Sequence, residues 1–412
     1  MQTQKIFWPA VLLTILFGLS VLLYWGAATM MGITAIPAFF AEKSDALTSM
    51  IISASAGFLG LMLLIAAVIT LLRIMGRNTA EKIIRFPFAK WQLSIAIFAA
   101  ATSIGIGSFM VSQRILSIIF LPILTLIGTL APLWIVISIG TRQLELGPRW
   151  RAWGIFGLGM TIGPLVMIFL EIAVGLFVFV GVLVYLVMQP ELANKMIGFS
   201  EQIQATSDPE KVLNLITPYL LNPAAITIMF GYTSLAVPMI EELFKPIGVW
   251  LFARQLKTPM AGFAMGILSG TAYALVENLG MSAQAGSDWS TIVLARAGAG
   301  LLHITNTGLM GWAITSLVNE KKIKRFFLTY IATVTFHGLW NGAGISLAIL
   351  SMADSLGKGQ NYLWAEAASV LALGLLTIGL LVVLIMSNRK VKEIDTAEDQ
   401  ALLVPPQETS QI

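Results

Sequence analysis

The 412-residue chain contains no cysteine, which excludes disulfides, thiolate catalysis and Cys-ligated zinc. It has only two histidines, so any imidazole chemistry falls on His303 or His337. Charge is equally scarce. Asp, Glu, Lys and Arg make up 11% of the residues, against about 25% in soluble domains. No HExxH run and no serine or cysteine nucleophile elbow is present. What the chain does have is apolar residues, 57% of the total, with a mean hydropathy of +0.85. Water cannot be the main solvent of such a chain. Its net charge of +4 resides in the loops between apolar runs, where it orients a membrane protein; it gives no reason to invoke nucleic acid.

Runs of about twenty apolar residues each suffice to cross a bilayer as a helix. They fall near 6–28, 49–73, 91–112, 115–140, 152–188, 224–253, 260–283, 290–319, 326–352 and 363–387. The expected fold is therefore an all-α polytopic transmembrane bundle of about ten spans. The first run is too long for a signal-peptide core and is read as a retained span. The run 152–188 would be roughly 55 Å long as one helix, so a break is expected around Gly163-Pro164 and Glu171. Counting it as a single crossing places eighteen of the 25 basic residues on one side. That asymmetry puts both termini in the cytoplasm, in what is read as the plasma membrane. Four regions follow: a transmembrane scaffold (1–188), an extracytoplasmic insertion of short interfacial helices (189–223), a catalytic bundle (224–387, with its motif core at 224–352) and a cytoplasmic tail (388–412) whose polar composition predicts disorder.

Ionisable side chains inside a bilayer cost about 2.5–3.5 kcal/mol each on insertion scales, so their placement is informative. The N-terminal half has almost none beyond Glu171. Four successive C-terminal spans carry Glu241, Glu242 and Lys245; Glu277; Arg296 and His303; and His337. Glu241 and Lys245 are spaced to share one helix face, Glu242 points about 100° away, and Pro246 predicts a kink. Tyr273 and Glu277 stand one turn apart, with Asn278 beside them. Asn306 and Thr307 share the face of His303, as Trp340 and Asn341 share that of His337. Arg296, near the outer end of its span, reads as a snorkelling residue, and Glu171 as a helix-break cap.

A buried carboxylate can act as general base on a water. A second acid or a histidine can protonate a leaving amine, and histidine or asparagine can donate to an oxyanion. The same residues could instead hold a divalent metal such as zinc, at Glu242, Glu277, His303 and His337. The residue types fit either route. They would also fit a proton relay in a proton-coupled transporter, or persist in a catalytically dead membrane receptor.

The motifs resemble those of the PrsW family of intramembrane proteases, related to the CAAX-processing and bacteriocin-processing membrane proteases. Glu241-Glu242-Leu243-Phe244-Lys245 is similar to the family's Glu-Glu-x-x-Lys, and Tyr273 through Asn278 to its aromatic-x-x-x-Glu-Asn. His303 with Thr307, and His337 with Trp340-Asn341, resemble its two later histidine motifs. The resemblance implies a peptidase cutting membrane-anchored proteins, with Glu241, Glu242, Glu277, His303 and His337 catalytic and Lys245, Asn278, Asn306 and Asn341 supporting them. It leaves glutamate-only and metal mechanisms both open, and no motif explains the first five spans.

Overall fold

The computed structural model describes residues 7–41, 45–206, 208–355 and 362–403. Among them every regular element is helical, and the one β contact is an isolated bridge between Ile83 and Pro148. The helices are α1 (Trp8–Phe40), α2 (Asp45–Ile74), the single turn α3 (Asn78–Glu81), α4 (Lys90–Met110), α5 (Arg114–Gly140), α6 (Arg149–Met160) and α7 (Ile162–Val187). After these come α8 (Pro190–Gln204), α9 (Pro209–Leu220), α10 (Pro223–Gly231), a π turn (Tyr232–Ala236), α11 (Val237–Phe244) and α12 (Ile247–Phe252). The long helices α13 (Pro259–Ala283), α14 (Trp289–Glu320), α15 (Ile323–Ser355) and α16 (Leu363–Leu403) complete the chain.

All ten apolar runs lie on helices. Eight helical segments are both long and apolar enough to cross a membrane. The other two, α14 and α15, have 32 and 33 residues but carry the polar groups around His303 and His337, which lowers their apolarity. This is an integral membrane protein. Its exposed side chains agree, since Phe98, Phe169 and Phe177 are more than two-thirds exposed, as lipid-facing residues should be.

Three helix breaks have a proline as their cause. The run 152–188 divides at Thr161, between α6 and α7. Pro164 has no N–H to offer the carbonyl of Met160, and that carbonyl accepts from the Tyr24 hydroxyl at 3.5 Å. Pro238 is the second residue after the π turn. Pro246 separates α11 from α12, as its missing N–H predicts, and the neighbouring carbonyl of Lys245 accepts from Ser269 Oγ at 2.6 Å.

The chain forms two compact units. The first comprises residues 1–164, 245–330 and 379–412, and the second comprises 165–244 and 331–378. In the first, α1 pairs with α2, α4 with α5 and α13 with α14, while α13 also touches α2, α5 and α6. The close approach of α13 to α14 rests on small residues. A Cβ on Gly262, Gly266 or Gly270 would lie 2.1 to 2.7 Å from atoms of Thr315, Thr307 or His303. Trp289, 1% exposed, ties the start of α14 to α5 through Nε1–H to Thr125 Oγ1 at 2.8 Å. Disorder is expected from residue 388, yet α16 remains helical to Leu403. Asn388 donates there to the carbonyls of Gly140 and Arg142, which anchors this stretch. Residues 404–412, with Pro405-Pro406, lie outside the described ones.

The second unit holds the insertion as two amphipathic helices, α8 and α9. Its other parts are α7 from Leu165, α10, the π turn, α11, α15 from Ile331 and α16 as far as Ile378.

Candidate active site

In the second unit the site begins at the π turn. Val237 N–H reaches back five residues to the carbonyl of Tyr232, because Pro238 cannot continue the ordinary ladder. Such a turn contains one residue more than an α turn, so it shifts the register of everything after it. The carbonyls it frees are met by α15. Asn341 Nδ2 donates to Thr233 O at 2.9 Å. Gly338 lies so close that an added Cβ would stand 2.2 Å from Ser234 O. The Tyr232 hydroxyl donates to the carbonyl of Glu171 at 2.9 Å, which fixes the turn to α7 and uses the backbone of Glu171.

One turn of helix later come Glu241 and Glu242, 6% and 0% exposed, and across from them His337, 2% exposed. His337 Nδ1 lies 2.8 Å from Glu242 Oε1. A carboxylate only accepts, so Nδ1 carries the proton. The second ring nitrogen, Nε2, is then 3.9 Å from Glu241 Oε2, too far for a hydrogen bond. Spacing alone assigned the two glutamates no distinct tasks. Here Glu242 is bonded to Nδ1, and Glu241 lies on the Nε2 side of the ring.

In the first unit four side chains form a connected row. Lys245 Nζ donates to His303 Nδ1 at 2.8 Å and lies 4.9 Å from the centre of the Tyr273 ring. An ammonium has no lone pair, so the proton of His303 sits on Nε2, which donates to Glu277 Oε2 at 2.6 Å. Arg296 Nη2 pairs with the same carboxylate oxygen at 2.7 Å. Tyr273 packs edge-on against His303, with ring centres 5.1 Å apart. Glu277 thus carries a counter-charge on one side and an imidazole on the other. Asn306 is fully buried one turn beyond His303.

Arg296 is the residue that sequence reading misplaced. It does not snorkel: its side chain is 15% exposed, and its Nε donates to Asn278 Oδ1 at 2.9 Å. Asn278 Nδ2 returns a bond to the Arg296 carbonyl at 2.9 Å. The signal was present as Glu277-Asn278 beside the only basic residue in the next span, but their meeting depends on the glycine face of α13.

Imidazole and carboxylate donors without thiols suit zinc or a similar divalent ion. The His337 pair fits further, because a histidine that donates its far N–H to a carboxylate is the arrangement that orients metal ligands. His303 is held differently, with both ring nitrogens engaged inside its own unit, so it could bind an ion only by exchanging one of those partners.

Neither the curated proteins nor the solved structures give a match to this chain. Among protein families, the model described as "PrsW family intramembrane metalloprotease" matches residues 147–386, a stretch that contains every residue of the site. The chain belongs to the PrsW family, and it is accordingly a membrane-embedded peptidase of the hydrolase class.

Proposed function

We propose that the protein hydrolyses a peptide bond of membrane-anchored protein substrates, using water activated beside Glu241. The observation that carries this reading is the buried Glu242–His337 pair with Glu241 on the far side of the ring. Glu242 holds the imidazole in one tautomer and one orientation. Glu241 accepts the proton of the attacking water and is the group from which the leaving amine regains it. Glu241 and His337 are the residues that would hold a divalent ion. Such an ion supplies a Lewis acid and an activated water when bound.

His303, Lys245 and Glu277, which form a network of their own in the first unit, are proposed to be needed for cleavage as well. Glu277, fixed by Arg296, keeps the His303 proton on Nε2. The C-terminal bundle 224–387 is the catalytic part, 1–188 its scaffold, and the insertion 189–223 faces outward from a plasma membrane whose cytoplasmic side holds both termini. The density of basic loops supports that orientation.

The test uses the purified full chain, reconstituted with a single-span reporter protein. Glu241→Gln, Glu242→Gln and His303→Ala are each expected to abolish cleavage while the protein stays monodisperse. Normal cleavage by all three variants would overturn the assignment. Metal content, measured on unaltered protein and on His337→Gln, separates the two chemistries. Stoichiometric metal that His337→Gln loses supports the metal route; cleavage that survives complete chelation supports the carboxylates alone.

A further inference from the structure

The first unit encloses a cavity of about 450 Å³ that no residue of the site lines. Its walls come from four helices, among them α2 at Phe58 and Met62, α5 at Trp134 and α6 at Trp153. The fourth wall is α13, at Leu268, Thr271 and Leu275. Thr271 brings the one hydroxyl, and it donates to the carbonyl of Ile267 in its own helix at 2.8 Å. The lining is therefore apolar in effect. At 3.6 residues per turn, these α13 positions face away from Tyr273 and Glu277.

One end of the cavity is closed by Ile84, Phe86 and Leu146, from the two loops before α4 and α6. These loops are joined through Ile84 N–H to Gly147 O and Leu146 N–H to Ile84 O. Side chains alternate in extended chain, so Ile84 and Phe86 face inward while Arg85 points out to Glu145 at 2.6 Å. Phe86 packs on Trp134 with ring centres 4.6 Å apart, and Trp134 is 36% exposed, which marks the mouth. Around that end the charge is strongly positive. Residues 73–90 and 141–151 contain eight basic side chains against two acidic ones. Lys82, Lys90, Arg142 and Arg149 are all exposed.

We infer that this cavity binds one acyl chain of an anionic phospholipid whose headgroup rests on the basic rim of Lys82, Lys90, Arg142 and Arg149. The volume lies within the ~300–1,000 Å³ of ordinary ligand pockets. Apolar walls fit hydrocarbon, and clustered Lys and Arg at the membrane surface fit an anionic headgroup. An apolar segment of a protein substrate is the poorer occupant, because the cavity lies on the back of α13 and its rim has no use for positive charge. A lipid seated there braces α13, whose other face carries Tyr273 and Glu277.

The full-length protein is placed in phosphatidylcholine nanodiscs in which a rising fraction of either phosphatidylcholine or phosphatidylglycerol carries brominated acyl chains, and tryptophan fluorescence is followed. Because Trp134 and Trp153 line the cavity, brominated phosphatidylglycerol is expected to reach half-maximal quenching at a several-fold lower mole fraction than brominated phosphatidylcholine. Replacing both residues by phenylalanine removes that difference, and so does the combined charge reversal K82E, K90E, R142E and R149E. Equal quenching by the two lipids in the unaltered protein overturns the proposal, without any variant having to fold. Selectivity that survives the loss of both tryptophans puts the lipid elsewhere and overturns it too. So does indifference of these tryptophans to either lipid, which would show a protein segment in the cavity.

Discussion

The two histidines are buried alike but held by different partners, and this decides what each can do. His337 donates to one carboxylate and presents Nε2 toward another. His303 accepts from an ammonium and donates to Glu277, so its state depends on Glu277 remaining an acceptor. Arg296 is the guardian of that condition. Its guanidinium meets Glu277 with Nη2 and Asn278 with Nε, a fork that lysine cannot reproduce. Arg296→Lys is expected to lower kcat about tenfold to a hundredfold, the range seen when supporting partners of a site are lost, with KM little changed. Arg296→Ala leaves Glu277 buried without its counter-charge, and breaking such a pair costs about 3–5 kcal/mol. Steady-state cleavage of the reporter, alongside thermal unfolding of both variants, checks the split. Equal kcat in Arg296→Lys and the parent protein would return Arg296 to a purely structural role.

Among the elements, the π turn and the glycine face of α13 do the positioning. Restoring the missing N–H with Pro238→Ala lets the ladder close as an α-helix, and the residues after it rotate by up to the ~100° of one position. Glu242 would then leave His337. The variant is expected to fold, to unfold at or above the parent's temperature because proline inside a helix is costly, and to lose cleavage. Retained cleavage would mean that the π turn is incidental. Gly266→Ala acts on the network of the first unit. Its Cβ would lie 2.3 Å from the carbonyl of Thr307, and backbone cannot yield as a side chain does. A loss of about 1–3 kcal/mol, as for other overpacked contacts, should appear as a lower unfolding temperature together with weaker cleavage, since separating α13 from α14 draws Glu277 off His303.

At the scale of the molecule, the membrane fold was legible because composition alone forces it, and the apolar runs became helical for the same reason, two of them (152–188 and 224–253) in several pieces. The buried ionisable side chains, Glu241, Glu242, Lys245, His303 and His337, were legible as candidates because buried charge is too costly to be placed idly. Other features required tertiary structure. The i and i+4 spacing of Glu241 and Lys245 suggested one continuous helix face, but the helix ends at Phe244 and Lys245 turns to His303. The division into two units cuts α15 and α16 between ordinary apolar residues, where the sequence carries no mark. The break at Thr161 bears on topology, since α6 and α7 together have either one crossing or two. The absence of cysteine makes this directly measurable, because any introduced thiol is the only one. Ser200→Cys, Asn78→Cys and Lys257→Cys all occupy exposed positions. With a single crossing at 149–187, a membrane-impermeant maleimide should label Ser200→Cys in intact cells and reach the other two only after permeabilisation. Two crossings would reverse Ser200 and Lys257 while leaving Asn78 inside. They would also move the basic residues that follow α12 and α14 to the outer face, against the charge asymmetry that orients membrane helices.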